Sequence, residues 1–130
     1  MPRKTILSVT FKVSALLALS IIFTSTTFAQ MPHTFRGTPD GAMPEGRLVS
    51  DSAGNLYVTT MGLGADYSGN IFKLSPSGGS WVYTDLHDLF AESDGDAPWA
   101  SPVMDAQGNL FGTTVGGGRH NGGTVWQIAP

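Results

Sequence analysis

The chain has 130 residues, 17 glycines and no cysteine, which excludes a disulfide scaffold and thiolate zinc sites. From residue 30 onward, Arg36, Arg47, Lys73 and Arg119 stand against ten acidic side chains, a formal charge of −6. No basic patch exists to neutralise phosphates, which argues against nucleic acid and anionic membrane surfaces as partners.

The N-terminal 29 residues read as a secretory signal peptide. Arg3, Lys4 and Lys12 form a positive start, Val13–Phe23 is an apolar run of 11 residues, and Thr27-Phe28-Ala29 places small residues where a signal peptidase cuts. The apolar run is well short of the ~20 residues that span a bilayer. Cleavage after Ala29 leaves a chain expected to be soluble, not transmembrane, and exported to the extracellular space, cell surface or periplasm. Residues 30–39 are expected to hold the end of a strand from a preceding repeat, at Met31–Arg36.

Residues 40–93 form a first repeat unit and 94–130 a second, incomplete one. Asp40–Pro76 overlays Asp94–Pro130 at a constant offset of 54 without a gap, with 14 of 37 positions identical. A period of this size marks a solenoid, propeller or array. Within unit one, strands are expected near Gly46–Ser50, at Leu56–Thr60, at Asn70–Leu74 and near Ser80–Leu86. β-branched and aromatic residues dominate these runs, and Gly, Pro, Asp and Ser punctuate them. Asp85–Ala91 reads as strand end and loop. The expected fold is all-β: β-propeller-type repeats of four-stranded antiparallel meanders, about two blades. A closed ring needs roughly 4–8 blades, so the chain is expected either to belong to a longer array or to assemble from copies, each N-terminal strand completing a neighbour's blade. The longer array is the preferred reading, because Pro130 matches the turn proline Pro76.

The turn residues are Asp51, Gly54 and Asn55, repeated as Asp105, Gly108 and Asn109. An Asp carboxylate can accept a bond from a backbone N–H two residues on, and the glycine can take positive φ.

The pattern Asp-Gly-x-x-Pro, then Asp-x-x-Gly-Asn-Leu-aromatic-x-Thr-Thr, a Gly-rich loop and a closing strand ending in Pro occurs at 40–76 and again at 94–130. It resembles the GloVer tandem repeat of secreted bacterial proteins. That resemblance implies a propeller-like fold, export and surface attachment, with no catalytic residues to carry over and no cofactor. The departures from the family pattern are small: Val58 replaces the usual glycine, and Leu63 interrupts the Gly-rich loop of unit one, which leaves the fine geometry of that loop open but not the resemblance.

Few residues suggest chemistry. Asp40, Asp94 and Asp96 invite a calcium reading, but Asp-Gly as a turn start accounts for them and no metal site is assigned. His33 and His87 each precede an Asp-Gly, with no partner assigned to either. The loop Gly116–Gly123 carries Arg119 and His120, and Trp99 could stack on a sugar ring. These three are the ligand-contact candidates, with carbohydrate or a surface polymer as the ligand class. The Gly-rich loop precedes a strand rather than a helix, so the nucleotide reading fails. The chain reads as a non-enzymatic binding or surface-interaction module. The alternative is a fragment of an extracellular propeller enzyme acting on polysaccharide or another polymer.

Overall fold

The computed structural model describes residues 30–130, and the proposed signal peptide lies outside them. The described residues form two antiparallel sheets and no helix. Sheet 1 is a meander of β1 (Val49–Ser50), β2 (Leu56–Thr60), β3 (Asn70–Ser77) and β4 (Ser80–Asp88) in that order. Sheet 2 contains β5 (Val103–Met104), β6 (Leu110–Thr113) and β7 (Val125–Ile128). The 54-residue offset carries the register with it: Val49 pairs with Tyr57 as Val103 pairs with Phe111, and Val58 with Phe72 as Gly112 with Trp126.

Three boundaries differ from the sequence expectation. β3 and β4 run on to Ser77 and Asp88, because the Gly78-Gly79 turn joins them as one long hairpin in which Ser77 pairs with Ser80. β1 is only two residues long, and an isolated bridge, Ala42 to Gly62, extends its side of the sheet toward the N-terminus. Residues 30–36, expected to be strand, belong to no sheet. A strand requires a ladder partner, and none is available to this arm among the described residues.

Alternation along the strands gives each sheet two faces. On the leading face of sheet 1, Val58, Phe72 and Leu74 form the buried core, with Leu56, Trp81, Tyr83 and Phe35 packed against it. The trailing face carries Tyr57, Thr59, Ile71 and Lys73. Sheet 2 repeats both sets as Leu110, Gly112, Trp126 and Ile128, and as Phe111, Thr113, Val125 and Gln127.

The leading face of sheet 2 packs on the trailing face of sheet 1. Tyr57, Lys73 and Leu86 meet Leu110, Ile128 and Pro130 around one small cavity. Burial shows the asymmetry that results. Ile71 and Thr59 are 0 % exposed, whereas their equivalents Val125 (81 % exposed) and Thr113 face solvent. At roughly 25 cal/mol per Å² of apolar area, burying one such aliphatic side chain stabilises by about 1.5–3 kcal/mol.

One compensated pair adapts the two leading faces. Sheet 1 has Val58 opposite Phe72, and sheet 2 has Gly112 opposite Trp126. A Cβ at residue 112 would collide with Cζ2, Cε2 and Cη2 of the Trp126 indole. The larger ring is therefore accommodated by removing the opposing side chain.

Candidate functional site

The turn that opens each second strand is built around one carboxylate. Asp51 Oδ1 accepts from the Ala53 and Asn55 N–H groups, both at 2.9 Å, and Oδ2 accepts from Asn55 Nδ2 at 2.7 Å. Gly54 takes φ +81° and donates to the Asp51 carbonyl. Asp105, Gly108 and Asn109 repeat each contact, with Asp105 bonded at 2.9, 2.8 and 2.7 Å. These donors, the asparagine amide first, hold both carboxyls below the usual carboxylate range. Asp51 gains a further bond from the Tyr57 hydroxyl at 3.0 Å, which Phe111 cannot supply to Asp105. Both carboxylates are occupied in turn formation.

The Thr-Thr and Asp-Gly motifs meet in space. Thr60 Oγ1 donates to Asn70 Oδ1 (2.6 Å) and accepts from the Asn70 N–H (3.1 Å). In unit two, Thr114 accepts from the Thr124 N–H at 2.9 Å. Gly41 and Gly95, both at positive φ, lie so close to these threonine hydroxyls that a Cβ would overlap them. Close approach of backbone to hydroxyl therefore explains the glycine in each Asp-Gly pair.

The aspartates of those pairs bind the histidines. His33 Nε2 lies 3.0 Å from Asp40 Oδ2, and His87 Nε2 lies 2.9 Å from Asp94 Oδ2. Each histidine thus has a partner seven residues on, where the sequence had suggested none. The signal was present in sequence as a second recurrence at offset 54. His33 also stacks on Tyr83 (centroids 4.7 Å apart, 22° between planes) and contacts Phe35 edge-on. Burial holds the Tyr83 hydroxyl up at a pKa of about 12, against a weaker opposing effect from the Asn70 bond.

The second of these pairs opens onto a cleft of about 610 Å³ between the end of β4 and β7. Its walls include His87, Leu89, Ser93, Asp94, Trp126 and Gln127. Ser93 Oγ donates to Asp94 Oδ1 at 2.7 Å, and with His87 it holds the Asp94 carboxyl below its usual range. Activating a hydroxyl as a nucleophile requires it to donate to the imidazole while the carboxylate orients the ring from the other side. Here the serine bonds the carboxylate instead. The same His–Asp contact recurs away from this cleft at His33 and Asp40, which marks it as a latch that fixes the segment leading into each unit.

The candidate ligand contacts lie elsewhere. Arg119 and His120 are exposed at a turn tip, and Trp99 is 58 % exposed. Among the described residues no hydrogen bond, ion pair or ring contact joins the three side chains. The loop that bears Arg119 and His120 shares its backbone with the loop of unit one. Positive φ recurs at Leu63 and Gly117, Gly64 and Gly118, Tyr67 and Asn121, and Gly69 and Gly123. The loop geometry left open at Leu63 is thereby decided: this leucine adopts φ +60° where unit two has glycine at +74°.

Among the described residues no group of three or more His, Asp or Glu side chains could hold a metal ion. Asp40 and Asp94 are engaged by histidine.

A comparison with curated proteins found no match to this sequence. The model of the Gloeobacter/Verrucomicrobia repeat matches residues 17–130, which takes in both units, their shared turns and the segment before them. The chain belongs to the Gloeobacter/Verrucomicrobia repeat family.

Proposed function

We propose that each sheet is one blade of a propeller-type array, and that the exported chain is a non-enzymatic binding or surface-interaction module. The observation that carries the binding reading is the pair of loops at 62–69 and 116–123. They hold one backbone course, with positive φ at four matched positions, yet present different exposed side chains. Ala65 and Asp66 in unit one become Arg119 and His120 in unit two. A shared loop course with variable tips suits a recognition rim, since loops on a fixed scaffold vary at little cost to the core.

Contacts between equivalent residues support the propeller reading. The Arg47 N–H donates to Ser101 Oγ at 2.6 Å across one full repeat, and the β1–β2 turn shares a cavity with the β5–β6 turn. The innermost strands of the two meanders thus converge, as they do around a propeller axis.

Carbohydrate or another surface polymer is the proposed ligand class. An exposed indole can stack on a sugar ring and Arg119 can bond hydroxyl or carboxylate groups. The test is a glycan and cell-wall polymer array probed with the chain and with Arg119→Ala and Trp99→Ala. Binding lost in these variants supports the reading. A blank array, or binding that neither substitution alters, rejects it.

A further inference from the structure

Two parts of this molecule have unpaired backbone and matching pattern. The outer edge of β7 has no ladder partner among the described residues, whereas its equivalent β3 is paired along its length with β4. The arm at 30–36 is in no sheet, yet at offset 54 it corresponds to residues 84–90, the end of β4 and the start of the loop after it. We infer that a second copy of this chain docks head to tail, laying its arm along β7 and its sheet 1 against the trailing face of sheet 2.

The ladder within sheet 1 predicts the register between copies. Asn70, Ile71, Phe72 and Lys73 pair with Asp88, His87, Asp85 and Thr84. Transposed, Thr124, Val125, Trp126 and Gln127 of one copy pair with Thr34, His33, Met31 and Gln30 of the next. Leu86 is the residue skipped at the bulge in β4, and its counterpart in the arm is Pro32. Proline has no N–H to give a ladder and is accommodated in sheets at edges and bulges. It falls here at the one position where the template needs no bond.

The docked faces continue an interface already present within the chain. Tyr57, Ile71 and Lys73 line cavities shared with sheet 2, and Thr59 meets Ala100 just before it; the trailing face of sheet 2 offers Phe111, Thr113, Val125 and Gln127 in their place. The receiving surface is an apolar groove of about 260 Å³ on sheet 1, whose walls include Pro32, Phe35, Leu48 and Leu56. Val125, Val103 and Leu48, all exposed in the single chain, lie on the two surfaces that meet. Each arm keeps its own contacts: His33 stays on Tyr83 and Asp40, as His87 stays on Asp94 while β4 pairs with β3. The contact is heterologous, so it closes into a ring if the rotation permits. The assembly rests on the 54-residue equivalence and not on the ligand reading.

The absence of native cysteine allows a direct test with the full 130-residue sequence, recovered from the cells that produce it. A Gln30→Cys chain is mixed with a Gln127→Cys chain under mild oxidation. Paired Cα atoms in an antiparallel ladder are about 4.5–5.5 Å apart, within disulfide reach. The linked heterodimer should form roughly tenfold or more above a control mixture of Gln127→Cys with Ser52→Cys, because docking raises the effective thiol concentration. Light scattering on the unmodified chain should give a mass above that of one copy. Val125→Lys should return it to one copy with unchanged circular dichroism. A monomeric mass for the unmodified chain at its highest soluble concentration overturns the inference. So does a Gln30–Gln127 link no more frequent than the control.

Discussion

The exchange of Val58–Phe72 for Gly112–Trp126 predicts a specific energetic coupling. In the Gly112→Val variant the new side chain enters space held by the Trp126 ring. Overpacking of this kind costs about 1–3 kcal/mol. Trp126→Phe removes part of the ring and leaves a void, but it also removes an indole Nε1 that is buried without a hydrogen-bond partner. A buried unsatisfied donor costs about 1–3 kcal/mol, so this single change is expected to be mild. The double variant recreates the Val–Phe pair of sheet 1 in sheet 2. Volume-conserving exchanges cost less than about 1.5 kcal/mol, so the double variant should be more stable than Gly112→Val alone. The coupling energy across the cycle should be favourable by about 1–3 kcal/mol. Urea unfolding of the parent, both singles and the double measures it. Additivity within about 0.5 kcal/mol would refute the claim that the glycine exists to admit the indole.

Further expectations concern backbone strain and titration. Tyr67 sits at φ +63° with its side chain exposed, and its counterpart is Asn121 at +52°; Tyr67→Asn should raise stability by roughly 0.5–1 kcal/mol in the same unfolding assay. Gly95→Ala places a methyl group against the Thr114 and Thr124 hydroxyls and should cost at least ~2 kcal/mol. Gly78→Ala, also at positive φ but with open space around it, should cost only ~1–2 kcal/mol; equal losses would mean that close packing contributes nothing at Gly95. In acid, Asp51, Asp94 and Asp105 have folded values below the ordinary 3.8. Their contribution is present above that value and lost as pH falls through the folded ones, so thermal stability should drop in that window and Asp51→Asn should flatten the drop. Asp85, raised by burial and then by Asp88, acts in the opposite sense. In base, Tyr83 ionises from about 12 in the fold against 10.0 unfolded. The stability it lends is complete below the unfolded value and lost between the two. After allowance for partial exposure this is roughly 1–2 kcal/mol, read from phenolate absorbance beside thermal melts. A Tyr83→Phe chain with the same alkaline loss would contradict the assignment.

The all-β meander was legible because its causes are local. Asp51, Gly54 and Asn55 specify their turn within five residues, and strand alternation follows directly from β-branched and aromatic spacing. The recurrence at 54 residues carried the same pairing into sheet 2. The partnership of each histidine with the aspartate seven residues on was also written in the repeat, although spacing alone did not say that two side chains would meet.

Other features depended on what lies across the sheet or beside it. Residues 30–36 carry a strand-end pattern, yet pattern does not provide a ladder partner, and they lie outside any sheet. Ile71 and Val125 are equivalent in sequence and in register, but one is enclosed and the other open. Ile71 has β4 beside it and sheet 2 across from it, whereas Val125 has neither neighbour among the described residues. The turns, the period and the alternation follow from residue order alone, because they depend on backbone conformation over a few residues. Which face is covered, why Gly112 yields to Trp126, and that Leu63 follows the course of a glycine emerge only once the chain is folded. Those outcomes depend on contacts between residues far apart in the chain.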